Sequence, residues 1–259
     1  MISYLSLNSK RKDNPLIFLH YVGQKNSVDV DVLGGTHHSW AMTILLAHVS
    51  DDHAFLAADS CRWDVIQNRK RAPVRKLHAA GRASAFAVGG SNIDRDEFAR
   101  QLSSSRAKGA TFSDAARACA PDLFREKMAL MRANGVSSPQ LLIVYYAEVR
   151  RGSCKIIRHQ LSPNQDHECE IKGFYCDGPD TAWLSSFAET KLSLFMTDEG
   201  LALDAWAFDI IGHGARRHPM NVAYPAMAVM IRSDGSMATR EDLHPDCWQG
   251  ARPEFAAIA

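Results

Sequence analysis

The chain has 259 residues, 46% of them hydrophobic and 23% charged, an ordinary globular composition with enough apolar material for one sizeable core. Its 30 Lys and Arg nearly cancel its 29 Asp and Glu, so no bulk charge draws it to nucleic acid or to an anionic membrane. The six cysteines form no C-x-x-C pair, which argues against a zinc knuckle or a dithiol redox motif and fits reduced thiols in the cytoplasm.

Residues 1–42 read as an N-terminal extension separate from the rest. They carry turn formers without sustained periodicity, and the apolar stretch from Pro15 to Tyr21 is broken by His20 and too short to span a bilayer. From Thr43 the pattern changes. Thr43 to Val49 reads as a buried strand, Ser50 to His53 as a polar turn and Ala54 to Ala58 as a second strand, giving a hairpin over 43–58. Val74 to His78 and Ala83 to Val88 read as another strand pair around Gly81, ending at Gly89-Gly90. A helix capped by Ser91 or Asp94 runs through Phe98 and Leu102. A second, capped by Ser113, keeps apolar residues at helical spacing to Met131 and stops at Asn134-Gly135.

Three strands follow, at Leu141 to Ala147, Cys154 to Arg158 and Glu170 to Cys176. Helices are expected at Thr181–Met196 and Leu203–His213, then a strand from Ala226 to Arg232, a Ser233-Asp-Gly turn and a last strand at Ser236 to Thr239. Trp206 and Phe208 fit a buried helix face. Strand runs alternating with helix pairs suggest an α+β protein whose two sheets stack between helical layers, a four-layer α/β/β/α sandwich over 43–259.

The chemistry-bearing residues cluster in the first half of that region. The stretch Thr43-Ile-Leu-Leu-Ala-His-Val through Ala57-Ala-Asp-Ser and Arg62, followed by Val74-Arg-Lys76 and Gly89-Gly90, resembles the opening of proteasome β-subunits and their bacterial heat-shock peptidase relatives. The likeness covers about residues 43–104 well and the remainder by element order; one extra residue, placed at Cys61, brings Arg62 and Lys76 into register together. It implies two stacked antiparallel sheets of the N-terminal-nucleophile hydrolase type, with Thr43 as nucleophile, Lys76 and Asp59 as its charged partners, and Gly89 and Gly90 presenting backbone to substrate. Arg62 and Asp177 are possible auxiliaries.

The chemistry gives each residue type a reason. A threonine hydroxyl is a weak nucleophile until a base takes its proton, and an N-terminal amine with pKa near ~8 is such a base. This requires Thr43 to be residue one. A nearby lysine ammonium lowers the pKa of that amine and polarises the hydroxyl, and an aspartate keeps the lysine charged. A backbone N–H at Gly89 would face the developing oxyanion. Taken singly, Thr43 also suits a plain strand, Asp59 a strand-end turn and Lys76 a solvated edge.

Two departures from the family pattern stand out. The family carries Ser-Gly after its third long strand and Asp with Ser-Gly-Gly before its last, where this chain has Asp177-Gly178 and the segment His218 to Tyr224. Asp177, His213 and His218 are weak substitutes. A Gly35-Thr36 bond resembles an autolytic junction, yet Thr36 lies 23 residues before Asp59, against 16 for Thr43. Thr43 follows Met42, which an aminopeptidase would remove, so 1–42 is expected to be a propeptide or sequence upstream of the true start.

His37, His38, His48 and His53 lack fixed carboxylate partners in sequence and read as surface residues, with no metal expected. The basic run Arg69 to Lys76 reads as a solvated loop around the site lysine. The resulting expectation is a cytoplasmic N-terminal threonine amidohydrolase, a peptidase acting on peptides or unfolded polypeptide without metal or organic cofactor. The resemblance implies a ring or helical homo-oligomer, with an ATPase as possible partner. Two other readings stay open: a non-catalytic structural subunit of the same fold, and an amidase for a small metabolite.

Overall fold

A computed structural model describes residues 43–64, 69–90, 95–107, 110–136, 141–197 and 200–242. The chain divides after His37, and every described residue belongs to the second unit. The extension 1–42, the expected cap at Ser91 or Asp94, and His37 and His38 lie outside the described residues.

Strands β1 (Leu45–Val49) and β2 (His53–Ala58) form the first hairpin, and β3 (Arg62–Asp64) and β4 (Arg69–Arg71) a small second one. Then come β5 (Leu77–Ala79), β6 (Ser84–Gly90) and the helices α1 (Arg95–Ala107) and α2 (Phe112–Ala133). Strands β7 (Leu142–Arg150), β8 (Ser153–Ser162), β9 (Gln165–Glu170) and β10 (Gly173–Asp177) lead to α3 (Thr181–Leu192). The short pair β11 (Met196–Thr197) and β12 (Gly200–Leu201), helix α4 (Leu203–Arg217) and strands β13 (Ala226–Arg232) and β14 (Met237–Asp242) complete the described elements.

The protein is mixed α+β, with two stacked five-stranded antiparallel sheets ordered β10-β1-β2-β13-β14 and β5-β6-β7-β8-β9. Three apolar clusters account for the sequence pattern. Leu45, Leu56, Ala87, Tyr145 and Val229 fill the space between the sheets. On the far face of the first sheet, Ile44, Leu46 and Phe55 meet Leu184 of α3 and Trp206 and Ile210 of α4. On the far face of the second, Phe86, Val88 and Tyr146 meet Phe98 of α1 and Phe124 of α2. Each central strand is covered on both faces, which is why β1, β2 and β7 read as apolar runs and not as alternating segments.

Several boundaries differ from expectation. The cap of α2 is Thr111, whose Oγ1 accepts from Asp114 N at 3.1 Å, while Ser113 lies inside the helix and donates to Glu148. The expected strand at 74–78 is strand only from Leu77, because Val74 N instead donates to Ser60 O at 3.0 Å and draws the chain towards the end of β2. The expected strand at 170–176 is split between the sheets: Glu170 ends β9, and β10 begins at Gly173, whose φ of 69° suits a residue without Cβ. Hairpin β3–β4 replaces part of the expected loop.

Candidate active site

The first hairpin converges on one end of the β1–β2 pair. Asp59 N donates to Ile44 O at 3.2 Å, extending the β1–β2 ladder by one step beyond Leu45 and Ala58. The Asp59 carboxylate then turns back on β1, and its Oδ1 accepts from Ile44 N at 3.0 Å. Thr43, on the same face as Leu45 and Ala47, points between the sheets, as period-two alternation requires.

Lys76 reaches this point from the other sheet. Its Nζ donates to Thr43 Oγ1 at 2.6 Å and to Asp59 Oδ1 at 3.0 Å. All three residues are buried, with Thr43 4%, Asp59 1% and Lys76 5% exposed. The structure therefore brings together Thr43, Asp59 and Lys76. Arg75 is exposed and its Nε faces Met227 Sδ, so the alternation puts the lysine, not the arginine, inside.

The second oxygen of Asp59 is equally occupied. Its Oδ2 accepts from Cys61 N at 2.7 Å and from Ala223 N at 3.1 Å. Burial pushes the Asp59 carboxyl pKa up, opposed by the Lys76 charge and by these backbone N–H groups. Ser60 N and Oγ both donate to Ala223 O, and Cys61 Sγ to Met220 O, so the segment before β13 is clamped onto the Asp59 turn. The segment before β13 thus supplies a backbone donor to Asp59. Sequence reasoning missed the roles of Cys61 and Ala223 because main-chain donors leave no residue-type signature.

The two glycines take different parts. Val88 N donates to Lys76 O at 2.9 Å and Ala80 N to Ser84 O at 2.7 Å, so the even-numbered residues of β6 bond towards β5. By antiparallel alternation, Gly89, opposite Ile143, directs its N–H to β7, and the N–H of Gly90 points to the side of Lys76. This corrects the expectation that the Gly89 N–H faces the oxyanion. Gly89 serves close approach: a Cβ there would stand 2.9 Å from Leu45 Cδ1 and 3.5 Å from Thr43 Cβ. Gly90 has φ of 78°, and a Cβ there would fall 2.0 Å from Leu141 O.

The possible auxiliaries do not join the trio. Asp177 lies opposite Leu45 and is buried, but its Oδ2 accepts from Tyr145 Oη at 2.6 Å and from Arg158 Nε at 2.7 Å, and its Oδ1 from Arg158 Nη2 at 2.9 Å. Its carboxylate is thus committed to a brace between the two sheets. Tyr145 and Arg158 were not foreseen; their cross-strand pairing in β7 and β8 was legible only once register was known. Arg62 is exposed in β3, opposite Arg71. His213 on α4 faces Asp209 and the Phe187 ring, and His218 packs edge-on against Trp183. Neither histidine bonds to Thr43, Asp59 or Lys76.

His48 and His53 are not separate surface groups. Their rings stack, with His48 Nδ1 and His53 Nε2 at 3.0 Å, and His53 Nδ1 lies 3.0 Å from Ser50 Oγ. Among the described residues no cluster of three or more His, Cys, Asp or Glu side chains is placed to hold a metal, and no helix is long and apolar enough to cross a membrane. No protein-family model matches the chain, and no curated protein matches it.

Proposed function

We propose that the protein is an N-terminal threonine amidohydrolase, a peptidase of the proteasome-like kind, on a four-layer α/β/β/α sandwich of the N-terminal-nucleophile hydrolase type. The observation that carries this reading is the buried Lys76 ammonium bridging Thr43 Oγ1 and Asp59 Oδ1. A threonine at a strand start has no structural need for a buried lysine, and a buried lysine is costly to desolvate unless it has work or a well-placed counter-charge. The three apolar clusters, with helices on the outer face of each sheet, support the sandwich.

In the proposed reaction the free α-amine of Thr43 takes the proton from Oγ1 as the oxygen attacks the substrate carbonyl. Lys76 stabilises the oxygen as it loses its proton, and Asp59 fixes the lysine. The Gly90 N–H faces the developing oxyanion. Collapse expels the amine product, protonated by the Thr43 ammonium, and leaves an ester on Oγ1. Water, activated by the same amine, hydrolyses that ester.

In the 259-residue chain Thr43 N is an amide, so the active form begins at Thr43. Self-assembly into a ring or helical oligomer, a cytoplasmic location and an ATPase partner follow from the same family reading. The test compares the full chain with one started at Met42, using N-terminal sequencing and turnover of fluorogenic peptide amides. Turnover only after Thr43 is exposed supports the proposal. Inactivity of the processed chain on a broad peptide panel would favour the non-catalytic subunit, a reading that the capture of Asp177 by Arg158 and Tyr145 favours. Turnover confined to small amides by a monomer would favour the metabolite amidase.

A further inference from the structure

The segment joining two of the three site residues is strongly basic. Between Asp59 and Lys76 lie Arg62, Arg69, Lys70, Arg71 and Arg75 against the single acid Asp64, while the whole chain carries a formal charge of only +1. The positive charge is therefore concentrated in 16 residues, 60–75, and balanced by acids elsewhere.

The fold keeps that segment beside the site. Its ends are tied together by Val74 N donating to Ser60 O at 3.0 Å, one residue after Asp59 and two before Lys76. Between those ties the chain forms the β3–β4 hairpin, in which Arg62 stands directly opposite Arg71. Like charges facing across a strand pair cost stability, so the hairpin is not charged in this way for its own sake. Lys70 is exposed, and its Nζ donates to Pro219 O at 2.8 Å, in the segment whose Ala223 N holds Asp59. Arg62 and Arg75 are exposed as well. Cys61, two residues from Asp59, is buried, and its Sγ donates to Met220 O at 3.4 Å, next to the Pro219 carbonyl that Lys70 holds.

We propose that the β3–β4 hairpin is a substrate-selecting rim, which favours polypeptide segments carrying Glu or Asp next to the bond held at Thr43. This rests on the threonine-hydrolase reading of the same site. A chain laid along the β3–β4 strands brings its side chains within a Debye length, about 10 Å at 0.1 M salt, of several exposed cations. Carboxylates there are attracted and ammonium groups repelled, which changes both association rate and residence. Selection comes from the field of several charges and not from one bidentate pocket, so it is graded by the number of acids and weakened by salt.

The test uses fluorogenic peptides identical at the cleaved bond, with Glu, Gln or Lys at three flanking positions, on the processed chain beginning at Thr43. Expected is a kcat/KM for the Glu peptide about tenfold above the Gln peptide at ~0.05 M salt, falling to within about twofold at ~0.5 M. In the Lys70→Glu/Arg71→Glu variant the Glu-to-Gln ratio falls to one or below. Binding is read separately, by fluorescence anisotropy of the same peptides on the processed Thr43→Ala chain. Equal turnover of Glu and Gln peptides, or a ratio untouched by the charge reversal, overturns the inference while leaving the hydrolase reading intact. Charge-graded binding without turnover of any peptide retains the rim and removes the hydrolase. Tighter binding of a single-stranded oligonucleotide than of the Glu peptide also overturns the inference.

Discussion

Lys76 Nζ lies 2.6 Å from Thr43 Oγ1, while its neighbour Arg75 turns to the other side of the chain and meets Met227 Sδ at 3.4 Å. One residue of register therefore separates a buried cation from an exposed one. Lys76→Met should lower peptide turnover about 10³-fold or more in the processed chain, since it removes one member of a coupled catalytic unit. It should also destabilise the fold by about 3–5 kcal/mol, because Asp59 is left buried without its counter-charge. Arg75→Met should change stability by less than about 0.5 kcal/mol. Urea unfolding and initial rates on one preparation check both; Lys76→Met retaining half or more of wild-type turnover would remove the lysine from the mechanism.

The glycine pair separates packing from chemistry. Gly90→Ala combines φ of 78° with a Cβ 2.0 Å from Leu141 O, a backbone atom that cannot rotate away, so loss of stability dominates. Gly89→Ala meets Leu45 Cδ1 at 2.9 Å, the end of a flexible side chain, and then the Thr43 Cβ. That variant should fold with a cost of about 1–3 kcal/mol. Its kcat should fall much further than its melting temperature suggests, since the added methyl lies against Thr43. Circular dichroism melts beside single-turnover rates check this, and a Gly89→Ala variant with wild-type kcat would show that the glycine serves packing alone.

Most central strands were legible because they depend on residue type at fixed spacing, whereas the three site residues were singled out by the resemblance of the segment from Thr43 to Gly90 to the opening of proteasome β-subunits. The apolar runs at 43–58 and 141–147 announce strands covered on both faces, and the meeting of Thr43, Asp59 and Lys76 was implied by the resemblance, since their spacing alone does not say which strand ends meet. What stayed hidden has no side-chain signature. Strand β9 is polar and largely exposed, and it is held at the sheet edge by pairing with β8 and by the ion pair of its Glu168 with Arg117 of α2. Strand β4 looks like part of a solvated basic loop because all three of its residues, Arg69, Lys70 and Arg71, are cationic. The Ala223 N–H that holds Asp59 comes from 164 positions away, a contact no local pattern encodes. Asp177 reads as an auxiliary because Asp177-Gly178 stands where the resembled family carries Ser-Gly; its commitment to Arg158 depends on how the second sheet is stacked.

The stacked histidines at the turn of the first hairpin should make stability depend on pH. Burial, then the neighbouring His53, lowers the His48 pKa from 6.5 to about 4. Between those values the unfolded chain binds more protons than the folded one, so this contribution is fully present above about pH 6.5 and is lost as pH falls towards 4. By pH 5 the loss amounts to about 2 kcal/mol from His48. His53, also lowered by burial, acts in the same direction. Unfolding free energies from urea titrations at pH 7 and pH 5 should differ by that amount, and His48→Gln should flatten the difference. An equal pH dependence in both proteins would show that the pair carries no linkage.

The buried brace between Arg158 and Asp177 yields the sharpest separation of structural and catalytic roles. Both side chains are buried, and their bidentate contact joins β8 of one sheet to β10 of the other, beside Leu45 and two residues from the strand position of Thr43. Asp177→Leu alone strands the guanidinium in an apolar layer and should cost about 3–5 kcal/mol. Arg158→Met together with Asp177→Leu removes both charges and fills the space with apolar volume, and such replacements of buried ion pairs are often neutral or stabilising. The double variant should therefore recover most of the stability lost by the single one. Because Asp177 makes no bond to Thr43 or Lys76, the refolded double variant should keep kcat within about fivefold of the parent, a barrier change of about 1 kcal/mol. Its pH–rate profile should keep the ascending limb set by the Thr43 amine. Recovered stability with a kcat down about 10³-fold, or an ascending limb displaced by a full pH unit, would make Asp177 a proton-handling group and would show that the brace rearranges when substrate binds.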